Sequence, residues 1–220
     1  MRLTIVSATG GVGRALMNQA VAAGHDVTAV VRDPGKVTAA VRVVQADLSA
    51  PTPQLEAAVG SADAVLSGLG PRTRADAGVA SRGTRVVIRA LQATGARRLV
   101  VVSAAPITAF ATPGRPHPPR HDPGDGPATR YLLAPLIRRI LREYYADLAL
   151  MEEELRDSGL DWTSVRPPRL TDGPLTGTYR TALDQNVRGG LSMSRADVAH
   201  LMLATVTDQA TVGHTVGCGY

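Results

Sequence analysis

The stretch SATGGVGRAL, residues 7 to 16, places glycines at 10, 11 and 13 between a β-branched run and a segment of helical spacing. A strand that feeds a helix through small residues leaves the helix's first amides free, and the helix dipole adds positive potential there. A pyrophosphate docks against such backbone N–H groups. Gly10 and Gly13 give the close approach and the tight packing of helix on strand, and Ser7, Thr9, Gly10, Gly11, Val12, Gly13 and Arg14 are the candidate residues around the phosphates. A glycine motif alone is weak, because turns use glycine for many reasons. One that follows the first strand and opens a helix has the context that nucleotide binding requires.

The second predicted strand ends at Val30-Val31-Arg32. An NAD site wants an acid there to accept from the ribose hydroxyls, whereas an arginine pairs with a 2′-phosphate. Arg32 is that arginine, with Arg14 and Lys36 as further cations for the same phosphate, while Asp33 points the other way. The expected cofactor is therefore NADP(H). Asp47 and Leu48, after the third strand, are expected beside the adenine, and Gly68, Leu69 and Gly70, after the fourth, beneath the nicotinamide ribose.

Tyr144 and Tyr145 stand side by side in a chain with five tyrosines. A tyrosine can relay a proton, but with a pKa near ~10 only about one in a thousand is ionised at pH 7 unless a cation helps. The single lysine, Lys36, is more than a hundred residues away. Arg142, three residues before Tyr145, is a poor substitute. A second reading of Tyr144 stays open: Ile137, Leu141, Tyr144, Leu148, Met151 and Leu155 recur at three- and four-residue steps, an apolar stripe that packs a helix on a sheet. His117 and His121 are four apart, but the prolines between them forbid the helix that metal ligation at this spacing needs. No metal is expected.

The elements that must position these residues alternate. Strands are expected over 3–7, 26–31, 41–46, 64–69, 98–103 and 161–166, several of them following a glycine that ends a helix. Long helices are expected over 75–94 and 134–157, and another opens at Ser194, where Ser194 and Asp197 form a capping arrangement. This is the pattern of βαβ units and predicts a doubly wound parallel sheet, a Rossmann fold, in one domain over 1–220. Between Pro106 and Pro127 lie seven of the fifteen prolines. That segment is expected to be irregular, and because it leaves a strand at its carboxyl end it is either a lid or a passive surface connection.

Composition narrows the function classes. The net charge of +5 comes from scattered arginines and aromatic content is 3%, so no nucleic-acid partner is expected. The lone Cys218 excludes an internal disulfide and suggests a reducing compartment. No apolar run approaches the ~20 residues that span a bilayer, and Met1-Arg2 leads directly into a strand. The expectation is a soluble cytoplasmic protein, with a homo-oligomer left open.

The run SATGGVGR, VVRDP, ADL, SGLG, VVVSAAP, YADLALMEEELRDSGLDWTSVRPPRLTDGP and SRADVAHLML, in this order, resembles the atypical short-chain dehydrogenase/reductases. The similarity is strongest to the NAD(P)H-binding, NmrA-like group that includes flavin and biliverdin reductases. Ser7 stands where the family's G-x-x-G-x-x-G pattern has its first glycine. The resemblance implies NADP in the cleft and a substrate pocket built after the fourth, fifth and sixth strands, so that Ala104, Tyr131, Tyr145, Arg166, Pro167 and Arg169 become substrate candidates. It also implies catalytic roles for Ser103, at the end of the fifth strand, and for Tyr144, with Ser103 touching the cofactor as well. Leu148 then occupies the position of the family's lysine, and the Tyr-x-x-x-Lys pair is broken. The expected activity is reduction of a conjugated acceptor such as a quinone, flavin or enone by NADPH; a redox sensor that binds cofactor without turnover and a non-redox cyclase or isomerase are the alternatives.

Overall fold

The computed structural model describes residues 1–71, 76–127, 130–131 and 141–220. The strands are β1 (Arg2–Val6), β2 (Asp26–Val31), β3 (Arg42–Gln45), β4 (Ala64–Ser67), β5 (Arg98–Val102), β6 (Asp161–Arg166), β7 (Arg169–Thr171), β8 (Arg180–Leu183), β9 (Ser192–Ser194) and β10 (His214–Gly219). The helices are α1 (Gly11–Ala22), α2 (Pro53–Gly60), α3 (Val79–Thr94), α4 (Arg142–Asp157) and α5 (Arg195–Thr205). Eight strands form one sheet in the order β3-β2-β1-β4-β5-β6-β10-β8, all parallel except β8, which runs antiparallel to β10. The order reverses direction between β1 and β4, and in open α/β sheets ligands bind at the carboxyl ends of the strands at such a switch point.

Strands buried on both faces read as continuous apolar runs, as RLVVV and AVLS do. One face carries Leu55, Val87, Leu91, Leu148, Met151, Leu155 and Trp162, and the other Leu16, Met17, Val198, Leu201 and Met202. Helices α2, α3 and α4 therefore cover the first face and α1 and α5 the second.

The six expected strands all form. Beyond the expected elements the sheet holds β10, between β6 and β8, and β8 itself, and the short parallel pair β7 and β9 and helix α2 are also additional. Strand β10 is hard to read because Gly217 and Gly219 interrupt it, yet a Cβ at 217 would stand 2.0 Å from the Gln185 carbonyl oxygen, so the chain needs glycine there. Helix α3 begins at Val79 rather than 75; residue 75 lies outside the described residues, as do 134–140, the start expected for α4. Leu141, expected in the apolar stripe, sits exposed at the N-terminal end of α4, and Ile137 is not described. Ser194 caps α5 as expected, its Oγ accepting from the Asp197 amide at 3.0 Å.

The proline-rich segment holds a 3₁₀ turn over Ala105–Ala109 and is otherwise irregular among its described residues. It is tied down both within itself and to Asn186. Asp122 is buried and accepts from Thr108 Oγ1 at 2.6 Å, from the Gly124 amide at 2.9 Å and from the Asn186 amide at 2.7 Å. Cys218 is buried in β10, and burial pushes its thiol up to about 12.

Candidate active site

Helix α1 starts directly after Gly10, and no side chain caps it. Its first amides are free for a ligand, which is what the glycine-rich turn requires. A Cβ on Gly13 would stand 2.1 Å from the Ser7 carbonyl oxygen, and one on Gly68 would stand 2.8 Å from the Gly13 nitrogen. These glycines let β1, α1 and the end of β4 touch backbone to backbone. Ser7 adopts φ 59°, the left-handed region that glycine favours. Serine thus takes the conformation of the glycine it replaces.

Beside this turn a cleft of ≈ 330 Å³ runs across the carboxyl ends of β1 to β4. Of the residues expected at the cofactor, Ser7, Thr9, Arg32, Lys36, Asp47, Leu48, Leu69 and Gly70 line it. Gly10, Gly11, Val12, Gly13, Arg14 and Gly68 are not part of this lining; Arg14 lies exposed on the first turn of α1. Asp33 is occupied: its carboxylate takes the Gly35 amide at 3.1 Å and the Lys36 ammonium at 3.1 Å. Arg32 is exposed, and no hydrogen bond or ion pair engages its guanidinium among the described residues. Asp47 folds onto Ser49, accepting from its amide at 2.9 Å and its hydroxyl at 2.7 Å, and these bonds hold its carboxyl below the ordinary range. Leu48 has φ 60°. The free amides, the adenosine-sized cleft and the free arginine together fit a dinucleotide.

Tyr144 and Tyr145 are half-buried against the core face made by α3 and α4. Their rings meet edge to face with centroids 5.2 Å apart, and Phe110, the chain's one phenylalanine, packs on Tyr145 at 5.7 Å. Burial pushes the Tyr144 hydroxyl above its ordinary pKa, the Asp147 charge pushes it further, and the Arg195 charge pulls the other way. Burial, with Tyr144 alongside, pushes Tyr145 up to about 12. Leu148 is fully buried in the core.

Ser103 is buried beside Glu152, and its Oγ makes no hydrogen bond of good geometry among the described residues. Arg166 is also buried and is spoken for: its guanidinium grips both oxygens of Glu152, Nε at 2.9 Å, and donates from Nη1 to Thr108 at 3.1 Å. Glu152 is 1% exposed and also accepts from Ser164 Oγ at 2.7 Å. Burial raises the Glu152 pKa, but the Arg166 charge and hydrogen bonds outweigh it and leave the carboxyl below its ordinary range. The pair therefore stays ionised and joins α4 to β6. Ala104 is buried, and the buried Pro167 offers its carbonyl to the Ala105 amide at 2.9 Å; Arg169 is exposed on β7. Tyr131 is 69% exposed, with its ring against His121. The structure thus brings Tyr144, Tyr145 and Phe110 together and leaves Tyr131 outside that group.

Several residues of the site escape the sequence reading. Asp76 and Val79 line the cleft. Asp147, within the same YYADL stretch, is buried and accepts from the amides of Ala80 and Ser81 at 3.0 Å and from Ser81 Oγ at 2.6 Å, capping α3 from α4. Nothing in the sequence signals this, because cap and helix are more than sixty residues apart.

Residues 7–209 match the NAD(P)H-binding family. A 3-diazoavenalumate denitrifying reductase from Streptomyces is 35% identical over 116 residues, which is 48% of this chain and 38% of that protein, so the match spans well under half of the relative's length. Among solved structures, a candidate NAD-dependent epimerase/dehydratase from Bacillus halodurans superposes with a TM-score of 0.73 at 26% identity, covering 100% of this chain and 94% of that one. A candidate NADH-flavin reductase from Streptococcus pneumoniae gives 0.75 at 23% identity over 100% and 99% of the two chains. A short-chain dehydrogenase/reductase from Veillonella parvula in complex with NADP gives 0.77 at 18% identity over 100% and 94%. The last two share the Rossmann fold with this chain. No described helix is long and apolar enough to cross a membrane.

Proposed function

Because the chain belongs to the NAD(P)H-binding family, we propose that it is an NADPH-dependent reductase that passes hydride to a small conjugated acceptor of quinone, flavin or enone type. The observation that carries the cofactor choice is the contrast at the end of β2. Asp33, the acid that could serve a ribose diol, carries Lys36 in an exposed pair that sets a second cation beside it, while the Arg32 guanidinium, without a partner among the described residues, is placed to meet a 2′-phosphate. The Streptomyces relative is a reductase, in keeping with the proposed reaction, and the Veillonella parvula structure holds NADP.

The nicotinamide supplies the hydride when bound. The residues of this chain supply the rest. The first amides of α1 would hold the pyrophosphate, Asp47 and Leu48 would wall the adenosine, and Leu69 and Gly70, in the same cleft, would lie toward the nicotinamide ribose. Tyr144, Tyr145 and Phe110 give an apolar, aromatic wall. The Ser103 hydroxyl lies buried beside the Glu152 carboxylate and would reach an acceptor's oxygen only by turning away from it. Tyr144 stays a neutral phenol, a hydrogen-bond donor rather than a strong acid. This favours acceptors whose reduced form takes its proton from water over simple ketones, which need an enzyme acid.

Charge reversal tests the cofactor site. Arg32→Asp should shift the ratio of NADPH to NADH affinities by about tenfold to a hundredfold, since a charged hydrogen bond is worth about 1.5–3 kcal/mol. An unchanged ratio would remove Arg32 from the phosphate site. Sustained NADPH consumption across a panel of quinones, flavins and enones tests the reaction. Tight binding with no turnover on any of them would make the protein a sensor instead.

A further inference from the structure

Arg195 opens α5, and its side chain runs back across the N-terminus of α1. A Cβ built on Gly11 would stand 2.6 Å from the Arg195 Cδ and 2.7 Å from its Nε, so the arginine lies directly over that glycine. Its guanidinium pairs with Asp172 at 2.6 Å; the arginine side chain is 32% exposed and the aspartate 90%. The backbone beneath is fixed. Ser194 caps the helix, Asp197 is clamped by Thr176, Gly177 and Tyr220, and Gln19 of α1 donates to the Ala196 carbonyl at 2.8 Å. A guanidinium on a rigid base, held among the described residues only by an exposed acid, can change partners at little cost, because an exposed ion pair is weak against water and salt.

We propose that Arg195 is a cation of the dinucleotide site, exchanging Asp172 for the pyrophosphate that rests on the first amides of α1. A guanidinium offers two parallel donors to a phosphate and stays charged at any working pH. The diphosphate also carries more charge than the single carboxylate it displaces. Gly11 has a reason of its own in this arrangement: any larger residue would push Arg195 off the turn. The arginine's charge also reaches Tyr144, where it opposes burial and Asp147. Part of the positive field that Leu148 does not provide on α4 thus comes from α5. The inference requires a bound dinucleotide and nothing of the NADPH preference or acceptor chemistry proposed above, since NADH and NADPH share the pyrophosphate.

The test titrates the full chain and its Arg195→Ala variant with NADPH, NADH and 2′-AMP, which keeps the adenosine and the 2′-phosphate and lacks the pyrophosphate. Affinity for both dinucleotides should fall alike by about tenfold or more, which is about 1.4 kcal/mol, with 2′-AMP within about twofold. Arg32→Asp should do the reverse, weakening NADPH and 2′-AMP and sparing NADH, so failure of the phosphate assignment at Arg32 leaves the Arg195 result readable. Gly11→Ala should weaken both dinucleotides when Arg195 is present and add little in the Arg195→Ala background. Arg195→Lys should retain part of the affinity. Dinucleotide affinities within twofold of wild type in an Arg195→Ala protein of unchanged melting temperature would overturn the proposal. Equal losses for all three ligands would also overturn it, because they would mark a loosened α5 instead of a lost phosphate contact.

Discussion

Tyr144 and Tyr145 combine an apolar edge-to-face contact with hydroxyls that burial keeps protonated. A ring that packs and a hydroxyl that donates one hydrogen bond predict a small kinetic effect on losing the hydroxyl. Tyr144→Phe should lower turnover with the best acceptor by about tenfold or less, as one hydrogen bond is worth about 1 kcal/mol. A true general acid would cost a hundredfold or more, and its loss would erase an alkaline limb from the pH profile of turnover; that pair of results would make Tyr144 an acid. The same scale shows where the backbone is strained. Three described non-glycine residues, Ser7, Leu48 and Asp184, have φ near 60°, and two of them, Ser7 and Leu48, line the cofactor cleft. Such outliers cost about 1–3 kcal/mol and persist where the surroundings enforce them, most often at ligand sites. Ser7 was legible as a missing glycine. Leu48 was legible only as a neighbour of the adenine, because nothing in a leucine announces a left-handed backbone.

At the scale of elements, α3 depends on α4 for its start. Gly78, at φ 81°, offers no side-chain cap, and Asp147 supplies one from across the interface. Asp147→Ala removes a cap and leaves two buried amides and a hydroxyl without their acceptor, so it should destabilise the protein by about 2–4 kcal/mol in urea unfolding. Asp147→Asn keeps an acceptor oxygen and should cost less. Equal losses for the two would show that the charge, through the helix dipole, carries the effect. The elements most legible in the sequence were those whose reasons are local, such as the apolar runs of β1, β2 and β5 and the Ser194 cap of α5. Helix α2 also had a local signal, Thr52 accepting from the Leu55 amide with Pro53 in the first turn. Strands β7, β8 and β9 have three or four residues each and mix polar with apolar ones, without the Val-Val of β3 or the Ala-Val-Leu of β4 to announce them, and they exist because the neighbouring backbone is there to pair with. The buried Glu152–Arg166 pair was unreadable for the same reason: each partner looks like a surface charge until α4 is laid on β6. Any lid motion of the proline-rich segment must part Asp122 from Asn186.

Over the whole molecule, pH sets how firmly the C-terminal part is tied to the sheet. Asp197 is buried and collects hydrogen bonds from Thr176, Gly177, Ser194 and Tyr220. Burial raises its pKa, and the bonds from Tyr220, Gly177 and Thr176 outweigh burial and bring it down to about 2. A carboxylate held below its ordinary 3.8 lends stability that is complete above about pH 4 and is lost as the pH falls through about 2. The melting temperature should therefore decline across this window, and Asp197→Asn, already destabilised at neutral pH, should decline less steeply; parallel curves would assign the acid sensitivity to other carboxylates such as Glu152. The buried thiol of Cys218 bears on how such openings can be watched. It lies in a strand with partners on both sides, and it is the one cysteine in the chain. A thiol-selective alkylating reagent has a single target and reaches it only when the apolar cover on that face of the sheet, which includes Val198 and Met202 of α5, lifts from β10, so the rate of modification reports those openings with no probe added to the protein.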